Sequence, residues 1–411
     1  MNPSRRHFLA VGAAAALPVP LVHAGGGDRL RVGLIGCGGR GTGAAAQAMN
    51  ADPNVSLVAM GDLYEDRLKA SLKSLSAEGA GKVDVPPERQ FTGFDAYKGV
   101  IEHSDVVLLC EPPHFRPRHL KAAVEAGKHV FAEKPVAVDA PGVRSVLASC
   151  EEARRRRLSV VSGLCLRYSD RFREAMKRVH GGAIGRPVAV QANDWRGGRW
   201  ARPREEGWDD MTWQTRNWYN FTWLSGDFNV EQHVHFLDVA AWALGDRYPA
   251  RAIGMGGRQV FTGPEYGNIY DHFSVVYEYD DGTRLTSHTR QHGGCANDIS
   301  CQVLGTEGRA HLTTAVVKVG DWSPEGKGNS YFQEEHNVLF ASIRRGEPVN
   351  NGEYMSKSTL LAIMGRMAAY TGQRITWEQA MGSKEDLTPP AYAWGPHPVP
   401  GPAVPGKTRF F

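Results

Sequence analysis

Short apolar runs alternate with helix-spaced patterns through the first third of the chain. Arg29 to Ile35, Val55 to Met60, Asp105 to Cys110, Lys128 to Ala132 and Leu158 to Ser162 are dominated by apolar, often β-branched residues. Between them, Ala44, Ala45, Ala46 and Met49 recur at helical spacing. Pro117 to Ala126 is closed by Gly127, and Ala140 to Arg155 forms another helical stretch. Strands buried on both faces read as continuous apolar runs, and parallel strands need crossover helices. The pattern predicts a doubly wound parallel sheet over residues 29–163. Beyond it, Val188 to Asn193, Ala250 to Val260, Phe273 to Tyr279, Arg284 to Arg290, Ile299 to Leu304 and Ala310 to Thr314 read as short strands. Asp280-Asp281-Gly282-Thr283 marks a hairpin turn. A helix is expected from about Asp227 to Leu244, closed by Gly245, and an amphipathic one from Met355 to Tyr370. This second domain is taken as 164–385. The Pro-rich tail, 386–411, suits wrapping a neighbour rather than forming a core. Arginines 154–157 are expected on a solvated helix end.

Composition narrows the function classes. Apolar residues make up 42% and charged ones 22%, a globular balance, and the net charge of +4 is too small for a nucleic-acid binder. The six cysteines include no C-x-x-C pair, so neither a zinc ribbon nor a disulfide scaffold is expected. Ser4-Arg5-Arg6-His7-Phe8-Leu9, the apolar stretch Ala10 to Val22 and Val22-His23-Ala24 have the order of a twin-arginine export signal covering residues 1–24. Its removal takes two arginines and no acid, lowering the charge from +4 to +2. No other stretch approaches about 18 uninterrupted apolar residues, so the mature protein is expected in the periplasm, outside the membrane.

The first strand runs directly into Gly36-Cys37-Gly38-Gly39-Arg40-Gly41, a G-x-G-x-x-G turn. Gly36 permits the tight turn, Gly38 lets a pyrophosphate approach the backbone, and Gly41 lets helix and strand pack closely. The second strand ends at Asp62, placed to accept hydrogen bonds from a ribose and to repel a 2′-phosphate. NAD is therefore expected over NADP, with Arg67 as the qualification. Glu111-Pro112-Pro113 and Glu133-Lys134-Pro135 follow later strands, and ligands in such sheets sit beyond the carboxyl ends. The expected cofactor-binding set is thus Gly36, Cys37, Gly38, Gly39, Arg40, Gly41, Asp62, Glu111, Pro112, Glu133 and Lys134, with Lys134 beside the nicotinamide.

Three motifs together carry a resemblance: G-C-G-G-R-G at 36–41, A-G-K-H-V-F-A-E-K-P at 126–135 and G-A-I-G-R-P at 182–187. The chain resembles the Gfo/Idh/MocA family, which includes glucose–fructose oxidoreductase and inositol dehydrogenase, over about residues 29–385. The resemblance implies an N-terminal Rossmann domain and a C-terminal α/β domain with a large, open, mostly antiparallel sheet. It also implies a homo-oligomer, dimer or tetramer, formed through that open sheet face. In family members an Asp-x-x-x-His pair meets the E-K-P lysine at the substrate carbinol. Here Glu231-Gln232-His233-Val234-His235 puts glutamate in place of aspartate.

The helical reading sets Glu231, His235, Asp238 and Trp242 on one face. The expected roles are His235 as the base for a hydroxyl proton, Lys134 holding or relaying it, and Glu231 orienting the histidine or binding a neighbouring hydroxyl. The bland alternative is a core histidine flanked by capping acids. His233 and His235 diverge by about 200° on a helix and have no third ligand nearby in sequence, so no metal is expected. Six tryptophans fall within residues 195–223, interleaved with arginines and amides, as a carbohydrate site requires. Trp195, Trp213 and Trp218, together with Arg167, Tyr168, Asp238 and His292, are the substrate candidates; core packing in a long loop is the alternative.

The leading expectation is an NAD-dependent oxidoreductase acting on a sugar or glycoside carbinol. The resemblance to glucose–fructose oxidoreductase implies a tightly held cofactor recycled on the enzyme. A redox-neutral glycosidase working by transient oxidation is the alternative in the same class. A catalytically silent sugar-binding protein is the alternative in another.

Overall fold

The structure is a computed structural model that describes residues 28–79 and 81–409. The twin-arginine segment lies outside the described residues. Six parallel strands form the first sheet: β1 (Leu30–Ile35), β2 (Val55–Asp62), β3 (Gln90–Thr92), β4 (Val106–Leu109), β5 (His129–Ala132) and β6 (Val160–Ser162). Their order is β3-β2-β1-β4-β5-β6. Val32, Leu34, Val107, Leu108, Val130 and Phe131 are buried completely, as strands covered by helices on both faces require. The order reverses between β1 and β4, and there a doubly wound sheet opens its ligand crevice. β3 was not predicted. Its three residues are half-buried to exposed and have no apolar run to announce them.

The second sheet has eight strands, β7 (Pro187–Arg196), β8 (Arg251–Gly257), β9 (His272–Glu278), β10 (Arg284–Gln291), β11 (Asp298–Gly305), β12 (Arg309–Leu312), β13 (Val317–Val319) and β14 (Ile375–Thr376), in the order β13-β12-β11-β7-β10-β9-β8-β14. Only β7 and β10 run parallel, so the sheet is mostly antiparallel as the resemblance implied. The hairpin turn falls where expected, with the amides of Gly282 and Tyr279 bonding Tyr279 and Thr283 carbonyls. One face packs on the helices Val234–Ala243 and Gly352–Thr371. On β8 and β11, Ile253, Met255 and Leu304 are exposed, and Met255 is 71% accessible.

Three expectations need correction. The helix predicted over 227–244 is two helices, Phe228–Glu231 and Val234–Ala243. The His233 amide reaches back five residues to the Phe228 carbonyl at 3.3 Å, a wide turn that interrupts the helical ladder. The helix Gly352–Thr371 is buried on nearly every side, including Arg366, and is not amphipathic. The tail covers its own chain: Trp394 packs on Phe94 at 4.8 Å, and the Tyr392 hydroxyl lies 2.9 Å from His114 Nε2. Arg154, Arg155 and Arg156 do sit on a helix end, paired with Glu151 and Glu152.

Candidate active site

The crevice at the β1–β4 switch point is a cleft of about 430 Å³. At its floor Gly36 has φ +91°, and a Cβ there would meet the Glu111 amide at 2.4 Å. A Cβ on Gly41 would lie 1.9 Å from the Gly36 carbonyl. Glycine at both positions is therefore steric necessity. Gly39 opens onto free space, and the helix Gly39–Ala51 starts there with neither a side-chain cap nor an acid in its first turn. Its N-terminal amides and partial positive charge suit a phosphate. Asp62 accepts the Cys37 amide at 2.7 Å and the Tyr64 amide at 3.0 Å, which fixes its carboxylate at the rim. Burial pushes its pKa up.

Gly36, Gly38, Gly39, Arg40, Gly41, Asp62, Glu111, Pro112, Glu133 and Lys134 all line the cleft. Cys37 does not: its side chain turns into the core, and only its backbone serves the site. The Arg40 guanidinium bonds the carboxylates of Glu133 and Glu335. Its charge is compensated by protein rather than left free for phosphate.

Lys134 stands at the end of β5 and reaches across to the second domain. Its Nζ donates to the Glu231 carbonyl at 2.7 Å and to Glu231 Oε1 at 2.9 Å. His235 lines the same cleft one turn further along the interrupted helix. Burial, then the Lys134 charge, holds its pKa well below the usual imidazole value. The ring is therefore neutral near pH 7, and its Nδ1 has no hydrogen-bond partner among the described residues. Glu231 is bonded to the lysine, where the sequence suggested that it orients the histidine or binds a neighbouring hydroxyl. His233 faces away from the cleft, with Nε2 2.9 Å from the Ser287 hydroxyl, so the two histidines diverge as expected.

Of the expected substrate residues only Trp218 reaches the cleft. Arg167 and Asp238 are bonded to each other at 2.8 Å, with Asp246 and Ser358 completing the network. A buried carboxylate and guanidinium satisfy one another there, as burial demands. Tyr168 is buried and donates to Asn351. Trp195 and Asp194 are neighbours on β7 and point to opposite faces; it is Asp194 whose charge acts on Lys134 and Glu231. Trp213 packs edge-on against Phe221 and donates to the Arg202 carbonyl. His292 is turned to Asp271. The sequence reading missed Gln232, which neighbours Glu231, and Tyr64, two residues past Asp62; both line the cleft. Phe94, Tyr97 and Phe115 also line it, but no spacing singled them out.

Residues 30–162 match the oxidoreductase family described as having an NAD-binding Rossmann fold, and residues 172–311 match the GFO/IDH/MocA C-terminal domain. An inositol 2-dehydrogenase of Saccharopolyspora erythraea is 34% identical over 285 residues, 69% of this chain and 73% of that protein. This chain belongs to the Gfo/Idh/MocA oxidoreductase family. Another inositol 2-dehydrogenase, from Cereibacter sphaeroides, is 29% identical over 289 residues, covering 69% of this chain and 73% of its own. The scyllo-inositol dehydrogenase of Lactobacillus casei, solved with NAD(H) and scyllo-inositol, shares the fold. Its TM-score is 0.66 at 17% identity, over 85% of this chain and 99% of that one. The first domain of this Gfo/Idh/MocA protein is thus an NAD-binding Rossmann domain, and the glycine turn and Asp62 fit that cofactor. No helix among the described residues is long and apolar enough to cross a membrane.

Proposed function

We propose that this chain oxidises a ring carbinol of a cyclitol or sugar, with His235 and Lys134 managing the hydroxyl proton. The observation that carries the reading is the meeting of two domains in one cleft. Lys134 from the Rossmann domain is bonded to Glu231, and His235 stands beside them above the glycine turn. When bound, NAD supplies a hydride acceptor. A carbinol must shed its hydroxyl proton as its hydride leaves, and a neutral buried imidazole beside a fixed ammonium can receive that proton. Trp218 offers an aromatic face to ring C–H groups. The similar inositol dehydrogenases support a polyhydroxylated ring as substrate.

The twin-arginine reading makes this an exported enzyme, and an exported enzyme meets no free dinucleotide supply. Retention of the cofactor is supported by cover at the Asp62 end of the cleft. Arg216 lies 3.8 Å over the Tyr64 ring, and Trp394 packs at a tilt against Tyr64 and Phe94. The exposed apolar residues Ile253, Met255 and Leu304 suit a homo-oligomer contact, which sedimentation at micromolar concentration would reveal or reject.

The test of the reading is substitution. Lys134→Ala and His235→Ala should each lower polyol-dependent reduction of NAD by about 10²- to 10⁴-fold. The double variant should be little worse, because the two groups act on one proton. Dinucleotide binding, read by fluorescence, should survive in all three. Near-normal turnover by a folded, NAD-binding His235→Ala protein would defeat the assignment.

A further inference from the structure

A second constellation lies at the ends of β9 and β10, outside the cleft. Asp271, His272 and His292 each present one ligand atom, and the three atoms lie within 4.8 Å of one another. The spacing in sequence hid them: β9 and β10 pair antiparallel and bring residue 292 back beside residues 271 and 272. Asp271 is fully buried and rigidly set. Its Oδ2 accepts the backbone amides of Gln259, Val260 and Phe261 at 2.8, 2.7 and 3.0 Å. Its Oδ1 faces the two imidazoles, 2.7 Å from His272 Nδ1 and 3.1 Å from His292 Nε2. The nearby guanidinium groups are engaged elsewhere. Arg199 donates to the carbonyls of Tyr270 and Tyr266, and Arg258 to those of Phe261 and Gly267.

We propose that Asp271, His272 and His292 bind a divalent cation of the zinc type. Two imidazole nitrogens and one carboxylate oxygen are a donor set that such an ion takes, with a remaining position for water. Ligand atoms on one tetrahedral zinc stand about 3.3 Å apart for bonds near 2.0 Å; the two nitrogens lie 2.7 and 3.1 Å from Oδ1 and all three atoms within 4.8 Å, a spacing that side-chain rotation can bring onto one ion. Each histidine would bind as a neutral imidazole, through the lone pair of the nitrogen that faces Oδ1, with its single proton on the other ring nitrogen. Solvent reaches the site along His272, whose side chain is 37% exposed, and the Gly293-Gly294 pair beside His292 adds no bulk. Gln291, adjacent to His292, donates to the Tyr219 hydroxyl at 3.1 Å, and Tyr219 adjoins Trp218 of the cleft wall. A bound ion would therefore pin the β9–β10 ends behind that aromatic wall.

The experiment is a metal titration of untagged, chelator-treated protein with Co²⁺, followed by Zn²⁺. One equivalent of Co²⁺ should bind with visible d–d absorption, and Zn²⁺ should displace it. His272→Ala and His292→Ala should each weaken Zn²⁺ binding by more than about 100-fold, beyond what loss of an outer-shell partner costs. Dinucleotide binding should be unchanged in both variants and reports that they are folded. Failure of the wild-type protein to bind either ion stoichiometrically would overturn the proposal, because the three groups would then only be hydrogen-bonded to each other. Binding of undiminished affinity in both variants would overturn it equally.

Discussion

At the residue scale, the site turns on Glu231, whose side chain reaches the Lys134 ammonium. Lys134 has a second anchor, the Glu231 backbone carbonyl, which no side-chain change removes. Glu231→Ala should therefore leave the lysine partly aimed. Turnover is expected to fall by about tenfold, clearly less than the roughly 10²- to 10⁴-fold expected for Lys134→Ala. Steady-state kinetics with NAD in excess distinguish the two, and equal losses would make Glu231 a direct participant. Lys134, Glu231 and His235 were legible because a strand end and a helix position carry defined directions. Arg167 and Asp238 were misread for a physical reason. A charge on a helix face can be matched by substrate or by another side chain, and only the fold reveals that Arg167 meets Asp238, 71 positions away.

At the element scale, five of the six parallel strands were legible because burial on both faces leaves an unbroken apolar run; β3, half-buried to exposed, has none. The broken helix before His235 was not, because its cause is tertiary. Asp227 has φ +83°, unusual for a residue with a side chain, and is held there by its surroundings. Its carboxylate accepts the Phe228 amide, the Tyr270 amide at 2.9 Å and the Tyr370 hydroxyl. Burial raises its pKa to about 6. These bonds join the start of the helix Phe228–Glu231 to the approach to β9 and to the helix Gly352–Thr371. Asp227→Ala takes the carboxylate from two buried amides and a buried hydroxyl, and each such loss costs about 1–3 kcal/mol. Chemical denaturation should show a destabilisation of about 3 kcal/mol, with Asp227→Asn milder. A change under about 0.5 kcal/mol, the level of an ordinary surface substitution, would contradict this account of the break.

At the scale of the whole molecule, the C-terminal segments bind the two domains together. The helix Tyr331–Arg345 packs on the Rossmann domain and carries Glu335 and His336 into it, with the His336 ring tilted against Phe131 at 4.3 Å. Neither nitrogen of His336 has a partner among the described residues. Burial, then the Arg40 charge, holds its pKa well below 6.5. In the unfolded chain it titrates near 6.5. The unfolded state therefore binds the extra proton below that pH, and the fold loses about 1.4 kcal/mol per pH unit through this group as pH falls. Acids raised by burial, Asp227 and Glu335, work in the opposite sense, so a difference between variants isolates the histidine. His336→Phe should match or exceed wild-type stability at pH 7 and gain on it steadily between pH about 6.5 and 5. Parallel stability curves for the two proteins over that range would contradict the assignment.

The central claim is that hydride leaves a ring carbinol in the cleft where Lys134 and His235 meet. The most direct measurement supplies NAD-loaded protein with myo-inositol, and separately glucose, deuterated at the ring carbinol carbons, and examines the nicotinamide by mass spectrometry after a single turnover. The account predicts deuterium on the dinucleotide with at least one of these rings, transferred about 10²- to 10⁴-fold more slowly by the folded Lys134→Ala/His235→Ala protein. A wild-type protein that holds NAD but acquires no deuterium from either ring, or a double variant that acquires it as fast, would contradict the account.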